Sequence, residues 1–521
     1  MAGPETLLDV LARRAVDDPD AELLRFGDDP WLRVGQIDEG ARDLAARLAP
    51  LIGRGDRVAT CLRPGRVSVE LIFGLAMLGA VEVPLALDVT ESAARAVLNA
   101  ARVDLVVVGT GALAGNSALA GVLTEVRTVV GVPEPGARTP PDLALLEDLP
   151  PGGYTARSPG PGDPLAILST SGTTGRAKAA VLPHYAAVRH AGRVCATMGY
   201  GTEDVLLNVF PWNHINVRHA ALLPALLSGA RLIARPRFSA SRFWDSCRLD
   251  GVTAFNFMGA MLAILDRRPP DLGDSTHPVR LAYGAPAPIE LARRFHERFG
   301  VRALEAYACT ELGDVAANTV DTWRPGSAGR VVPEYEVAIL GEDGNPLPVG
   351  EIGQIAARPR RNDMIFVGYA GDTDATTAAL RDGWFRTGDR GRLDADGYLY
   401  FAGRHADVVR RRGENIASWD VEQVIAAMPG VVDVAAVAVP SELTEDEVLV
   451  ALSIVAGAGV DGSSVREWCR TRLPRHALPR FVRIVPDLPR NPNGKVLKHV
   501  LADHGPDEQT WDAERQVTYR R

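Results

Sequence analysis

Cysteine is scarce in this chain of 521 residues, and its five cysteines are an odd number. They are widely separated and form no C-x-x-C pair, which excludes a disulfide framework and the ligand spacing of a structural zinc site. Unpaired cysteines are typical of a reducing compartment, so we expect a cytoplasmic location. The five positions are Cys61, Cys195, Cys247, Cys309 and Cys469.

Long apolar segments are missing as well. A membrane helix needs about 18 consecutive apolar residues, whereas the longest candidate here, Leu71 to Val81, is bounded by Glu70 and Glu82. The amino terminus places acidic residues ahead of basic ones, which is the wrong charge order for a secretory signal. A net charge of −8 argues against nucleic acid or an anionic membrane as the main partner. We therefore expect no membrane span and no nucleic-acid binding.

Lysine is the rarest charged residue, because only three of the 57 basic residues are lysine and all others are arginine. Arginine is a planar fork that is always charged, whereas lysine is a compact and flexible point charge. Positions that keep lysine in this background are candidates for sites where a point charge is required. They are Lys178, Lys495 and Lys498.

The first 132 residues alternate short apolar runs with amphipathic stretches, beginning with a helical pattern from Leu7 to Val16. Strands that alternate with helices predict a parallel sheet with helices on both faces, which is the α/β class. The predicted strands are 57–62, 81–87, 104–109 and 128–132, and the predicted helices are 67–79, 91–101 and 117–125.

Three further regions follow. Nine prolines between 133 and 164 predict a long surface connection, after which a second alternating region extends to about residue 340. The stretch 351–403 is typical of antiparallel strands, and Asp396-Gly397 marks a hairpin turn within it. From Asp407 onward the pattern is α+β, with a helix over 419–428 capped by Ser418, strands over 431–439 and 448–455, a helix over 463–472 and a strand over 482–487.

One loop has the composition of a polyphosphate-binding segment. The apolar strand Leu165–Thr170 leads directly into Ser171-Gly172-Thr173-Thr174-Gly175-Arg176-Ala177-Lys178. Glycines let backbone N–H groups approach phosphate oxygens, hydroxyls donate further hydrogen bonds, and the lysine supplies charge. The spacing does not match G-x-x-x-x-G-K-[ST], which argues against a P-loop kinase or ATPase.

This loop resembles the signature of the AMP-forming acyl-CoA synthetases, in the adenylating superfamily that also contains peptide-synthetase adenylation domains and beetle luciferases. Further motifs of that family occur in the expected order, so the resemblance covers nearly the whole chain. They are Pro211-Trp-Asn-His214-Ile-Asn216, Tyr283-Gly284-Ala285-Pro286, Tyr307-Ala-Cys-Thr310-Glu311, Gly383-Trp-Phe-Arg-Thr-Gly-Asp389, Gly403-Arg404 followed by Gly413-Glu414-Asn415-Ile416, and Asn493-Gly494-Lys495.

The resemblance implies a particular architecture. It comprises a large N-terminal domain over 1–403, made of doubly wound sheets and a small barrel-like β subdomain. A hinge over 404–408 connects it to a small, mobile α+β C-terminal domain over 409–521 that carries the catalytic lysine. At the hinge, Ala406 stands where relatives usually have Asp or Lys, with Asp407 next to it.

The resemblance also implies the chemistry. A substrate carboxylate attacks the α-phosphate of ATP, pyrophosphate leaves, and a thiol then displaces AMP from the acyl-adenylate. The implied catalytic residues are Lys495 on the developing phosphate charge, Glu311 as the Mg²⁺ ligand, Thr310 on the α-phosphate and His214 against the acyl carboxylate. Lys498 has no matched role and is predicted to lie on the surface.

The nucleotide site implied by the resemblance has three parts. The loop contacts the phosphates, Gly284 to Pro286 and the ring of Tyr307 enclose the adenine, and Asp389 and Arg404 bind the ribose and phosphates. The full set of implied ATP-binding residues is Thr170, Ser171, Gly172, Thr173, Thr174, Lys178, Gly284, Ala285, Pro286, Tyr307, Asp389 and Arg404.

The acyl pocket and the CoA tunnel are likewise implied by the resemblance. Because 255–260 is largely apolar and no buried acid is present there to receive an amine, the pocket favours an apolar carboxylic acid over an amino acid. Gly413 lines the implied CoA tunnel, and the expected cofactors are ATP, Mg²⁺ and CoA. The implied pocket residues are Trp212, Asn216, Phe257, Gly259, Ala308 and Cys309.

Alternatives to a carboxylate–CoA ligase stay open at this point. One is an enzyme that only adenylates and passes its acyl group to a carrier protein or partner ligase, since Ala308 and Ala406 depart from the family pattern. An inactive nucleotide- or acyl-binding protein and a light-emitting enzyme are further alternatives. The partners expected are therefore a small carboxylic acid, ATP and CoA, with an acyl carrier protein or partner ligase for the alternative, and a homodimer as a further expectation.

Overall fold

The computed structural model describes residues 5–155, 158–170, 178–404, 407–411, 414–440, 446–491, 494–514 and 517–518. Within these ranges the chain forms two large sheets, a smaller antiparallel sheet, and a C-terminal α+β unit. The predicted phosphate-loop residues Ser171, Gly172, Thr173 and Thr174, the hinge residue Ala406 and the tunnel residue Gly413 lie outside the described residues.

The first sheet has eight strands. Six consecutive strands, from Pro164–Thr170 to Ala144–Leu145 in the spatial order given below, run parallel to one another. The strand that precedes the phosphate loop pairs antiparallel with the strand that follows it, so Thr170 lies opposite Lys178. In spatial order the strands are Gly368–Tyr369, Lys178–Pro183, Pro164–Thr170, Val81–Pro84, Arg57–Cys61, Leu105–Gly109, Thr128–Val132 and Ala144–Leu145.

The second sheet has nine strands, parallel in its centre and antiparallel at both edges. Its parallel strands end together at one edge, which brings the loops after Asn208, Met258 and Ala285 close to one another. In spatial order the strands are Arg330–Val331, Gly313–Ala317, Arg302–Cys309, Leu281–Ala285, Ala254–Met258, Val205–Asn208, Arg231–Ala234, Glu22–Phe26 and Leu32–Arg33.

One apolar cluster joins the two sheets, because it contains residues of both sheets and of three long helices. The helix Arg66–Leu78 is apolar on nearly every face and is buried along its length from Ser68. The helices of this part are Leu7–Asp17, Val34–Leu48, Arg66–Leu78, Glu91–Ala101, Thr110–Gly115, Ser117–Leu123, His184–Met198, Ile215–Val217, Leu223–Ser228, Phe243–Asp250, Gly259–Asp266, Ile289–Phe299 and Thr373–Ala379, with a π-helical turn at Arg218–Leu222 and 3₁₀ turns at Leu146–Asp148 and Asn362–Met364.

The predicted barrel-like subdomain is a five-stranded antiparallel sheet. Its hairpin turns at Asp396-Gly397 as predicted, and Gly397 has a φ of 80°, which glycine adopts without strain. The strands are Tyr335–Leu340, Gly353–Pro359, Leu380–Arg381, Trp384–Leu393 and Leu399–Arg404.

The C-terminal unit contains two apolar clusters of its own. Ser418 is the first residue of a helix and not its cap, because the capping position is Ala417. The strands are Val408–Arg411, Glu414–Ala417, Val431–Pro440, Asp446–Ile454, Phe481–Ile484, Thr510–Asp512 and Val517–Thr518, and the helices are Ser418–Ala426, Gly462–Arg470 and Lys498–His504, with a 3₁₀ turn at Arg475–Ala477.

The strands predicted in the first 132 residues are confirmed. The strand at 128–132 has the predicted bounds, and each of the other three is shorter than predicted by one to three residues at one end. The three predicted helices of the same region are confirmed as well. Across the described ranges, no helix combines the length and the apolar character needed to cross a membrane.

Candidate active site

The segment Gly284 to Pro286, which was predicted to form one wall of the adenine site, packs closely against the backbone of the neighbouring strand. A side chain on Gly284 would place its Cβ 2.0 Å from the carbonyl oxygen of Phe257, and one on Gly259 would come 2.6 Å from that of Pro286. Only glycine therefore fits at either position without movement of the backbone. Ala285 and Pro286 remain exposed at the edge of the second sheet, where a ligand has access to them.

A buried carboxylate lies between the second sheet and the antiparallel sheet. The Tyr307 hydroxyl donates to Asp389 Oδ2 at 2.7 Å, and Arg404 Nε lies 3.6 Å from Asp389 Oδ1 across the pair of antiparallel strands. Burial raises the pKa of Asp389, and the guanidinium of Arg404 opposes this shift. The ring of Tyr307 is itself buried, so the contact it makes in this structure is the hydrogen bond that orients Asp389.

Lys495 approaches this carboxylate from the C-terminal unit. Its backbone N–H donates to Asn491 Oδ1 at 2.8 Å, which closes a tight turn, and Gly494 within that turn has a φ of 77°. A Cβ on Gly494 would lie 2.7 Å from Met258 Cε, so the turn touches the end of a strand in the second sheet. Burial, together with the positive charge of Arg404, lowers the pKa of Lys495 to about 8.

Glu311 is held by a tyrosine that sequence analysis missed. Tyr369 donates its hydroxyl proton to Glu311 Oε1 at 2.7 Å, and Lys178 Nζ lies 4.8 Å above the centre of the Tyr369 ring. No described residue donates to Glu311 Oε2, and Thr310 lies half-buried beside it. Tyr369 therefore brings the predicted metal ligand and the lysine of the phosphate loop together, although a tyrosine after a glycine carries no chemical signal by itself.

His214 is a neutral imidazole in this site. Its Nδ1 accepts a hydrogen bond from the backbone N–H of Asn216 at 3.2 Å, and burial lowers the pKa of the ring to about 4. The proton of the neutral ring is therefore on Nε2. Trp212, which was predicted to line the acyl pocket, is 6% exposed and packs edge-on against Phe26, with the ring centres 5.4 Å apart.

Phe257, which was predicted to line the acyl pocket, lies in the apolar core on one side of the second sheet. Its side chain is 1% exposed and belongs to the apolar cluster that also contains Phe255, Phe295 and Phe299. Successive residues of a strand face opposite sides of the sheet, so Asn256 occupies the other face. Ala308 is exposed and Cys309 half-buried, and burial raises the pKa of the Cys309 thiol.

A buried ion pair behind the His214 segment was also missed. Arg218 donates to both carboxylate oxygens of Glu82, at 2.5 and 3.0 Å, and its Nε donates to the carbonyl oxygen of Trp212 at 2.7 Å. The hydroxyl of Thr60 donates to the same carboxylate at 2.6 Å. Since Glu82 belongs to the first sheet, this cluster fastens the segment that carries His214 to the neighbouring sheet.

Lys498 was predicted to lie on the surface, and that prediction is wrong. Its Nζ lies 3.0 Å from Asp407 Oδ2 and 2.9 Å from Glu422 Oε1, with only a quarter of the side chain exposed. The lysine therefore ties Asp407, which lies within the predicted hinge, to the helix Ser418–Ala426. Among the described residues, no group of three or more His, Cys, Asp or Glu side chains is placed to hold a metal ion by itself.

Two family models match this chain. The model for the AMP-binding enzyme covers residues 11–370, and that for the AMP-binding enzyme C-terminal domain covers residues 420–495. A sulfoacetate–CoA ligase of Cupriavidus necator is 32% identical over 512 residues, which are 96% of this chain and 98% of the relative. A crotonobetaine/carnitine–CoA ligase of Salmonella typhi is 33% identical over 65% of this chain and 66% of its own length.

Solved structures of similar enzymes support the same family, and two of them show one enzyme with and without ATP. ATP-bound MatB from Rhodopseudomonas palustris is 27% identical and has a TM-score of 0.85, with 95% of this chain and 98% of that one covered. Its apo form matches over the same shares with a TM-score of 0.74, so this chain is arranged more like the ATP-bound form. The chain therefore belongs to the AMP-binding enzyme family and is an AMP-forming acyl-CoA ligase.

Proposed function

We propose that this enzyme activates a small carboxylic acid in an active site completed by Lys495 of its C-terminal unit. The observation that carries the proposal is the position of this lysine, where the charges of Asp389 and Arg404 act on its ammonium group. Those two residues belong to the antiparallel sheet, so the site is assembled from both parts of the chain. The better match to the ATP-bound structure supports the same arrangement.

In the first step a carboxylate oxygen of the acid attacks the α-phosphorus of ATP. The bond to the bridging oxygen breaks, and pyrophosphate leaves with that oxygen and its electron pair. Negative charge grows on the phosphates, so positive charge held in place lowers the barrier. Lys495 supplies positive charge at the leaving oxygen, while Lys178 and the loop from Thr170 to Thr174 bind the other phosphate oxygens.

We propose that Asp389 accepts hydrogen bonds from the ribose hydroxyls. A carboxylate has about four acceptor positions, and the hydrogen bond from Tyr307 occupies only one of them, while Arg404 forms an ion pair with the other oxygen. Gly284, Ala285 and Pro286 form one wall of the adenine site, since the glycine lets the backbone approach and the other two are exposed. His214 donates from Nε2 to the carboxylate of the acid.

Glu311 fits the Mg²⁺ that such phosphate chemistry uses. Magnesium is a hard cation that is commonly held by one carboxylate together with phosphate oxygens and water. Glu311 offers Oε2 for this purpose, because the bond from Tyr369 occupies Oε1. A bound Mg²⁺ would neutralise charge on the phosphates, and Thr310 would donate a hydrogen bond to the α-phosphate.

In the second step we propose that the thiol of CoA attacks the acyl carbon, and AMP leaves as the anion. Gly413 is proposed to line the tunnel through which the thiol enters. An acyl carrier protein or partner ligase is the alternative acceptor. The five free cysteines fit a reducing cytoplasm as the location of both steps.

The first step is expected to depend on the charge of Lys495. Since the pKa of this lysine is about 8, kcat/KM for pyrophosphate release should fall as the pH rises through 8. At pH 9 it should be roughly ten-fold below its plateau, because kcat/KM follows the ionisation of the free enzyme. The fall should be absent from a Lys495→Arg variant, whose guanidinium stays charged, and a pH-independent wild type would contradict the assignment.

Arg267 is expected to support the first step selectively. It follows the helix Gly259–Asp266, and its two terminal nitrogens donate to the carbonyl oxygens of Val431 and Val432 in the C-terminal unit. We expect Arg267→Ala to slow acyl-adenylate formation roughly 10- to 100-fold, since two bonds from a charged group hold the unit that carries Lys495. Thioester formation from supplied acyl-adenylate should change less than about two-fold.

The neighbouring arginine provides a matched control for this experiment. Arg268 donates instead to the carbonyl oxygen of Ala240, which belongs to its own part of the chain. Arg268→Ala should therefore leave both steps near the wild-type rate. Equal losses in the two variants, or an equal loss of both steps in Arg267→Ala, would show that Arg267 has no selective role.

The proposed function is tested by measuring pyrophosphate release with ATP, Mg²⁺ and a panel of short, long, aryl and polycyclic acids. Each acid is incubated with and without CoA, and the products are identified by mass spectrometry. An acyl-CoA product supports the complete two-step reaction. Accumulation of acyl-AMP that CoA leaves unchanged would instead support the carrier protein or partner ligase as acceptor.

A further inference from the structure

Three asparagines meet beneath the segment that carries His214. Asn208 ends one strand of the second sheet, Asn256 lies in the adjacent strand, and Asn216 follows His214. Asn216 Oδ1 accepts from Asn208 Nδ2 at 2.9 Å and from Asn256 Nδ2 at 3.0 Å. Asn208 and Asn256 are each 1% exposed, whereas Asn216 is half-buried. Asn216 is therefore the member of the cluster that a ligand can reach.

Backbone groups fix the orientation of the two buried amides. The N–H of Phe210 donates to Asn208 Oδ1 at 2.9 Å, and Asn256 Nδ2 donates to the carbonyl oxygen of Ala220 at 3.0 Å. A backbone N–H can only donate and a carbonyl oxygen can only accept. Both amides must therefore turn an N–H toward Asn216, and neither can rotate by 180° without losing its backbone partner.

The orientation of Asn216 follows from these two neighbours. Its Oδ1 must face both donors, so its NH₂ group points away from the cluster. No described residue accepts a hydrogen bond from Asn216 Nδ2. The Nε2–H of His214 is a second donor on the same turn, because its Nδ1 is occupied by the backbone N–H of Asn216.

The strand Ala254–Met258 connects this turn to the turn that carries Lys495. Asn256 and Met258 are two residues apart in one strand and therefore share a face of the sheet. Met258 contacts the turn that carries Gly494 and Lys495. The NH₂ group of Asn216 is thus presented in the region where the acyl group of an adenylate would lie, on the face opposite Phe257.

We propose that Asn216 determines specificity by donating a hydrogen bond to a second oxygen acceptor on the acyl group. The substrate is then a short carboxylic acid that carries a hydroxyl, sulfonate or further carboxyl oxygen, and not the apolar acid expected from sequence. An apolar acid would cover the NH₂ group and leave it unpaired away from water, which is costly. This inference rests on the proposed function.

The test compares acids of matched shape. Sulfoacetate is paired with 3,3-dimethylbutanoate, and 3-hydroxypropanoate with butanoate, and kcat/KM for pyrophosphate release is measured for each. We expect the wild type to favour the oxygen-bearing acid at least about ten-fold in one or both pairs. Binding of the corresponding non-hydrolysable acyl-sulfamoyl adenosines, measured by calorimetry, should show the same preference without turnover.

Asn216→Asp is the informative variant. It keeps an oxygen facing Asn208 and Asn256 but replaces the NH₂ group with a second oxygen, so the cluster is preserved while the donor is lost. Within each pair, the ratio of kcat/KM for the oxygen-bearing acid to kcat/KM for the apolar acid should fall at least about ten-fold, to about one or below. The apolar member of each pair reports any general effect of the new charge, and thermal melting reports folding.

The outcomes separate this inference from the proposed function. If no acid yields pyrophosphate or an acyl-CoA, the proposed function fails and the inference fails with it. If acids are activated but the wild type prefers the apolar members, the inference is overturned while the ligase assignment stands. The same holds if Asn216→Asp folds, stays active and leaves the preference unchanged in turnover and in binding.

Discussion

Replacing Lys495 with alanine is expected to reduce acyl-adenylate formation at least about 100-fold. In the proposed mechanism the ammonium group is the charge that the C-terminal unit brings to the leaving pyrophosphate, and loss of one such group from a preorganised site costs roughly 3 kcal/mol or more. Binding of ATP should change little, because Asp389, Arg404 and Lys178 all remain in place. Pyrophosphate release and calorimetric titration with ATP measure the two quantities separately.

The thioester step provides the control for this variant. With acyl-adenylate supplied, Lys495→Ala should form acyl-CoA at close to the wild-type rate, since that step develops no charge on a leaving pyrophosphate. Pyrophosphate release at the wild-type rate would remove Lys495 from the active site. An equal loss of both steps would indicate a general disturbance of the C-terminal unit.

Breaking the buried pair of Glu82 and Arg218 is expected to have the largest effect on stability. Both side chains are nearly inaccessible to solvent, so either partner alone would be a buried charge without compensation. Glu82→Leu or Arg218→Met should each lower the free energy of unfolding by about 3–5 kcal/mol. Denaturant unfolding followed by tryptophan fluorescence measures this change.

The double variant distinguishes coupling from simple loss of packing. Glu82→Leu with Arg218→Met leaves no buried charge, so its stability should exceed that of either single variant. The exposed pair of Arg33 and Asp20, whose atoms lie 3.3 Å apart, is a suitable comparison. Arg33→Met should change stability far less, because water screens an exposed pair. Additive effects of the two buried substitutions would contradict the coupling.

The sequence predicted the parts of the fold that depend on near neighbours along the chain. The strands that end at Gly109 and Val132 and the hairpin at Asp396-Gly397 follow from apolar runs and turn residues, and the structure confirms them. Ser418 was predicted one position away from its place in the helix, because a residue pattern locates the end of a helix only to within one or two residues.

The sequence did not predict which face of a sheet each side chain occupies. An apolar strand such as Ala254–Met258 shows that alternate residues share a face, but not which face meets the core. The structure turns Phe257 into the core and Asn256 toward the His214 segment. This orientation turns an amide cluster, and not the ring of Phe257, toward the His214 segment, and it is the basis of the proposed preference for an oxygen-bearing acid.

The sequence by itself determined the family, the order of the motifs and the identity of the chemical groups, because these depend on residue types at short spacings. Only the tertiary structure decided their partners. Tyr369 reaches Glu311, Arg218 reaches Glu82, and Lys498 joins Asp407 to Glu422. These pairs are separated by tens of residues or more, so they form through the pairing of strands and the packing of sheets, which local sequence does not specify.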